Sequence, residues 1–194
     1  MLVNRPNQQD EDVDLDAQDW EELADTKNYE DSIAVDAFVK IDGIDGESTD
    51  DKHKNEIEVH RWVGRVENTG SAHTGGGMGS SKCYHYDFKF AKLLDKASPK
   101  LHAACSSGEH IKKAVLTIRK AGKEQQEFCK LTFSDVLVSG YKQFHDPDPK
   151  SGLPRDGFSF NYGKLEIEYK PQNSDGTLGG AVKGGWDVKK NQVP

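Results

Sequence analysis

Four groups of residues have types and spacings that could support chemistry. Gly75-Gly76-Gly77-Met78-Gly79-Ser80-Ser81-Lys82 has the composition of a loop that cradles phosphates through its backbone N–H groups. That chemistry needs the lysine directly after the last glycine and at a helix start. Lys82 instead follows two serines and leads into a strand pattern, so a connecting loop is expected. Cys83 and His85 lie two apart and share a strand face, as metal ligands do, but no second pair of fitting spacing follows. His102, Cys105 and His110 stand at unrelated positions. Cys105-Ser106-Ser107-Gly108-Glu109-His110 sets candidate nucleophiles near a histidine, without the strand-turn-helix elbow that exposes and activates a serine. Glu166 and Glu168 share a strand face as a catalytic acid pair would, yet they alternate with apolar groups as on any solvated strand. No catalytic residue, metal site or cofactor is expected, and the chain reads as a non-enzyme.

The elements that would position these residues are mostly strands. Val35, Ala37, Val39 and Ile41 recur with period two and end in the turn chemistry of Asp42-Gly43 and Asp45-Gly46. The polar stretch Glu47 to Asn55 then predicts a loop that projects from the body. Ile57 and Val59 continue on one parity and Trp62 falls on the other, which predicts a bulge or sharp twist between them. Residues Thr69 to Lys82 form a Gly/Ser-rich loop, and Tyr84, Tyr86, Phe88 and Phe90 alternate through the clearest strand of the chain. Ser98-Pro99 reads as N-cap and first helical residue, Leu101, Ala104 and Cys105 as the buried stripe, and Gly108 as the stop. Further strands are expected at Ala114 to Ile118, Cys129 to Phe133 and Val136 to Val138, with a hairpin turn at Ala121-Gly122-Lys123. His145 to Asp156, with three prolines, predicts an exposed loop. Phe158, Phe160 and Tyr162 alternate on even positions and Leu165, Ile167 and Tyr169 on odd ones, and the change at Gly163 predicts a bulge. Trp186 and Val188 suggest a final short strand. About eight strands and one helix predict a mainly β protein, a small antiparallel barrel or closed sandwich.

Charge divides the chain in two. The formal net charge is −7, but residues 1–32 hold eleven acids against two bases, a local −9 that leaves +2 on the remaining 162 residues. Residues 1–32 therefore read as an acidic, disordered leader, too poor in aliphatics to fold alone, and 33–194 as one barrel domain. The competing reading of the leader is a short helix capped by Asp16, whose apolar stripe of Trp20, Leu23 and Ala24 would dock on a partner. Nucleic acid is excluded as a partner by the acidic balance. No apolar run approaches the roughly 20 residues of a membrane span, and no basic-then-apolar signal segment begins the sequence. Cys83, Cys105 and Cys129, odd in number, read as reduced thiols in the core.

Several blocks together carry a family resemblance. They are Ala34-Val35-Asp36-Ala37-Phe38-Val39-Lys40-Ile41-Asp42-Gly43-Ile44-Asp45-Gly46-Glu47-Ser48, then His53, Ile57-Glu58-Val59 and Trp62. Asp95 to Leu101, Ala104-Cys105-Ser106-Ser107-Gly108, Phe160-Asn161-Tyr162-Gly163-Lys164, Tyr169-Lys170-Pro171-Gln172 and Gly185-Trp186 follow in order. In these blocks the body resembles the haemolysin-coregulated protein (Hcp) family, the tube subunit of type VI secretion systems. The resemblance implies a small β-barrel with one helix that assembles into hexameric rings, which stack into a hollow tube. It implies as partners further copies of the chain, a contractile sheath, a spike protein and effector proteins carried in the lumen. It also implies assembly in the cytoplasm followed by expulsion from the cell without a signal peptide.

A closed ring needs a heterologous interface, in which one patch of a subunit meets a different patch of the next. The loop residues Glu47, Ser48, Thr49, Asp50, Asp51, Lys52 and His53 are the candidates for contacts between subunits or stacked rings. Arg61 and Val63 are the candidates for lumen and cargo, because their neighbour Trp62 is expected to point into the core. The leader lies beyond the family pattern, and its Trp20 and Leu23 are candidates for docking. Two other readings fit the same fold: the tube subunit of a phage-tail-like particle, and a secreted effector using the tube fold for delivery. A monomeric β-barrel that binds sugar or peptide is a third.

Overall fold

The computed structural model describes Trp20 and residues 35–68, 82–120, 125–144 and 154–194. In chain order the strands are β1 (Val35–Ile41), β2 (Ile57–Glu58), β3 (Arg61–Val63), β4 (Val66–Asn68), β5 (Cys83–His85) and β6 (Phe88–Leu93). The helix α1 (Ser98–Ser107) follows, then β7 (His110–Lys120), β8 (Glu127–Phe144), β9 (Arg155–Tyr169) and β10 (Val182–Asp187). One antiparallel sheet runs β2-β1-β7-β8-β9-β6-β3, with β10 on the second half of β9, while β4 and β5 form a separate ribbon. Among the described residues the fold is mainly β with one complete short helix, as the alternation and the resemblance both predicted.

The period break between Val59 and Trp62 is where the sheet closes on itself. β2 pairs with β1 at one edge and β3 with β6 at the other, and only Val59 and His60 separate them. The Val59 N–H donates to the Ala37 carbonyl at 3.0 Å and the His60 N–H to the Ala91 carbonyl at 2.9 Å. A single segment thus satisfies both edges, which would otherwise present unpaired backbone groups. The expected twist is an exchange of partners.

Inside the curl lies an aromatic core. Phe90, Phe133, Phe158 and Phe160 are fully buried, and the Phe90 and Phe158 rings stack at 4.8 Å. Ala37, Val39, Ile41, Ala114 and Leu116 fill the β1–β7 side, and Leu101 and Ala104 of α1 close one end. Beneath the helix a charged cluster is sealed in: Lys92 and Asp156 have fully buried side chains 3.0 Å apart. Lys92 Nζ also donates to Ser98 Oγ at 2.9 Å and to Asp95 Oδ1, while Tyr141 donates to Asp156 at 2.9 Å. Ser98 therefore anchors the helix start through Lys92, and the N-cap position falls to Ala97, one residue earlier than expected. Gly108 terminates the helix in the left-handed region at φ 67°.

Four expectations are corrected. The Tyr84–Phe90 strand breaks at Tyr86 and Asp87, because Phe88 and Phe90 stay in the core while β5 leaves the main sheet to pair with β4. Cys83 is exposed for the same reason, and only Cys105 and Cys129 are even partly covered. The stretches Cys129–Phe133 and Val136–Val138 are one strand, β8. The bulge expected at Gly163 is absent: Ser134 faces Lys164 and Val136 faces Tyr162 in unbroken register, and the shift lies at Val138/Gly140. The inversion of faces is real, but both strands make it together. Asp135 on β8 adopts φ 54° opposite Gly163, and β8 changes its buried parity from Leu131 and Phe133 to Val136 and Val138. The hairpin at Ala121–Lys123, the Gly-rich stretch and most of the proline loop lie outside the described residues, although Arg155 and Asp156 already belong to β9.

Candidate functional site

Alternation on β1 and β7 leaves a second set of side chains facing away from the core. Phe38 pairs across to Thr117 and Asp36 to Arg119, and three of these four are buried, because the segment after β1 folds back over them. The Gly46 N–H donates to the Asn55 carbonyl and the Asn55 N–H to the Ser48 carbonyl, each at 2.8 Å. A Cβ at Gly46 would lie 2.3 Å from the Glu56 carbonyl oxygen, so this close approach requires glycine. Arg119 Nη2 reaches Asp50 at 2.7 Å and Asp36 at 3.0 Å, and the His53 ring stacks on Phe38 at 4.3 Å. The hydrogen bond from Arg119 holds the Asp50 carboxyl down at about 2, helped by the backbone N–H groups of Lys52 and His53. The loop expected to project is therefore pinned, since a buried guanidinium needs its carboxylates. Of its candidate contact residues, Ser48 and His53 are buried, Asp50 is half-buried, and Glu47, Thr49, Asp51 and Lys52 are exposed.

The β3–β6–β9–β8 sheet likewise has an outer face. Trp62 lies opposite Phe90 and packs against the core, so Arg61 and Val63 project to the other side. The register assembles two rows there: Val63, Lys89, Ser159 and Gly140, then Arg61, Ala91, Gly157 and Lys142. Ser139 and Ser159 join by their hydroxyls at 2.9 Å. His60 borders the rows at the sheet closure; burial and the positive charge of Arg155 lower its pKa, favouring the neutral ring. Trp20, helical in backbone, lies against this face: a Cβ at Gly157 would meet its ring at 2.5 Å. Lys89 Nζ sits 5.6 Å from the indole centroid. Leu23 lies outside the described residues.

A third surface escaped the sequence reading. Between the β4–β5 ribbon and β9–β10 runs a groove of about 750 Å³ lined by Val66, Cys83, His85, Leu165, Ile167 and Trp186. Val66, Ile167, Tyr169 and Val182 are all exposed in this region. The one available signal was the odd-parity set after Gly163, which period alone assigns to a core. At the groove's rim Cys83 Sγ and His85 Nε2 are 3.5 Å apart; among the described residues no cluster of three or more His, Cys, Asp or Glu is placed to hold a metal. Burial lowers the His85 pKa. Glu166 instead pairs with Lys164 at 2.7 Å and Glu168 with Lys183 at 2.9 Å, so both carboxylates are ion-paired on the surface.

The family model described as "Type VI secretion system effector, Hcp" matches residues 38–169, more than half of the chain. The chain belongs to the Hcp family. Protein hcp1 of Pseudomonas aeruginosa is 41% identical over 163 residues, covering 82% of this chain and 98% of that protein. Among solved structures, Hcp1 from Salmonella typhimurium is similar with 37% identity and a TM-score of 0.69, over 83% of this chain and 99% of that one. A structure described as a type six secretion system protein is similar with 32% identity and a TM-score of 0.77, over 83% and 100% of the two chains. The Hcp match takes in the pinned loop, the outer sheet face and the first half of the groove, whereas Trp20 precedes it. No helix among the described residues is long and apolar enough to cross a membrane.

Proposed function

We propose that this chain is the repeating subunit of a type VI secretion tube, a structural and carrier protein without catalytic activity. The observation that carries the reading is the Hcp match to P. aeruginosa hcp1 across 98% of that relative's length. In this reading six copies of the 33–194 body close a ring, rings stack inside a contractile sheath behind a spike, and the tube leaves the cytoplasm carrying effectors. The apolar groove receives a second copy of the chain, since exposed Ile167, Tyr169 and Val182 on one strand pair are suited to burial against a neighbour. The exposed loop residues Glu47, Thr49, Asp51 and Lys52 add contacts between subunits or rings, with Ser48, Asp50 and His53 holding them in place. Arg61 and Val63, on the outer sheet face, line the lumen and meet cargo.

Sedimentation and negative-stain microscopy of the purified protein test this. A particle of six times the 21.6 kDa chain mass with a central hole is expected. A strict monomer at every concentration would overturn it.

A further inference from the structure

The outer face of β3, β6, β9 and β8 is covered although it points away from the core. Lys89, Ala91 and Ser159 are only 2%, 3% and 3% exposed there. Sheet faces of this kind are solvated unless something lies on them, and the described residue found on this one is Trp20. Its fit is specific. Gly157 and Gly140 lie on adjacent strands, and their missing side chains form the floor on which the indole rests: Cβ atoms there would stand 2.5 and 3.6 Å from ring carbons. Lys89 supplies a cation to the ring. The same face carries Arg61, Lys89, Lys142 and Arg155, and the segment that brings Trp20 holds the −9 of residues 1–32.

We propose that the notch over Gly157 and Gly140 is an indole-binding site on the cargo face, and that the chain's own acidic leader, anchored by Trp20, is its resident occupant. The leader is then a built-in competitor: a cargo segment using this face must displace Trp20, and an acidic segment presenting an aromatic ring is the chemistry best suited to do so. The indole docking stands on the contacts above; its placement on a cargo face rests on the proposed lumen assignment. Because Val63, Lys89 and Ser159 stand on successive strands, about 4.8 Å apart each, Arg61 and Val63 lie roughly 10 Å from the notch. One cargo contact could span both.

The test uses the full-length chain and a fluorescein-labelled peptide of residues 12–28. Expected are binding to the Trp20→Ala chain at least tenfold tighter than to wild type, a smaller gain for Trp20→Phe, and loss of binding when the peptide's own tryptophan is replaced by alanine. Salt should weaken the binding. Equal binding to wild type and both variants, or binding to none, would overturn the docking. Class averages of assembled rings then separate the two readings. Density inside the hole of wild-type rings that is lost in Trp20→Ala rings supports the cargo-face placement. Peptide binding as expected with identical holes keeps the docking and overturns that placement.

Discussion

Arg119 shows how one side chain converts a polar loop into part of the body. Its guanidinium is 5% exposed, so removing Asp50 leaves a buried charge with Asp36 alone. Asp50→Ala is expected to destabilise the chain by about 2 kcal/mol in urea denaturation and to raise amide exchange at Ser48 and Asn55. The pH dependence follows from the same contact. Because the Asp50 carboxyl is held down from 3.8 to about 2, its stabilising contribution is present above pH 3.8 and is lost as pH falls toward 2. Solvent on its open side limits this pH-dependent part to about 1 kcal/mol; the larger cost of Asp50→Ala includes the hydrogen bonds that the carboxyl accepts from the Lys52 and His53 N–H groups. Wild type should lose stability through that window and Asp50→Ala should lose less. The Lys92–Asp156 pair is a harder case, since neither side chain meets water. Lys92→Met is expected to cost about 3–5 kcal/mol by stranding Asp156, and Lys92→Met with Asp156→Leu to recover much of it, measured by chemical denaturation. Neither partner choice was legible in the sequence, where Asp156 ends an expected loop and Lys92, 64 positions earlier, carries no assignment.

A period of two locates a strand where one face stays on the core, as along Ala37, Val39 and Ile41 of β1 and Ala114, Leu116 and Ile118 of β7. The reading failed where an element changes partner or face. Periodicity reports which side of a strand is buried, and it cannot say against which neighbour. Tyr84 to Phe90 alternates in sequence across a break, yet Phe88 and Phe90 face the core whereas on β5 it is Cys83 and His85 that line the groove. Gly163 marked a true inversion, yet the cause is shared with Asp135 on the partner strand, whose left-handed backbone no β-branched residue adopts without strain. Asp135→Val is therefore expected to cost about 1–3 kcal/mol, with loss of the 3.0 Å contact to Lys189 as a minor part. Asp135→Gly should cost less than Asp135→Val, and comparing their unfolding midpoints checks the argument. Phe38 belongs to the same lesson. It is buried beneath the pinned loop, outside the main core. Phe38→Ala is expected to release the loop at a cost of about 3 kcal/mol, and Phe38→Asp to prevent folding or ring formation; a soluble normal ring would show the layer to be dispensable.

At the scale of the molecule, three surfaces remain after the core is filled: the pinned loop, the outer sheet face bearing Trp20, and the apolar groove beside β10. The near-neutral body is suited to side-by-side packing without strong mutual repulsion. If the groove receives a neighbour, Ile167→Lys should weaken assembly at least tenfold, the equivalent of one aliphatic side chain no longer buried. Sedimentation would show rings giving way to monomers, while thermal unfolding of the monomer stays near wild type because Ile167 is already 40% exposed.

The sequence by itself determined the strand-rich body, the helix over Ser98–Ser107 with its proline start and glycine stop, the division of charge between residues 1–32 and the rest, and the family. All of these are written in local order: periods of two, caps, charge runs and motif spacing along one chain. Tertiary structure alone decided that segment 57–63 joins both sheet edges, that Arg119 gathers Asp36 and Asp50, and that Trp20 rests on Gly140 and Gly157. These are contacts between residues up to 137 positions apart. Nothing in the local pattern of either partner records the other, because a glycine in a strand or an aspartate in a loop satisfies its own neighbourhood equally well with or without the distant group.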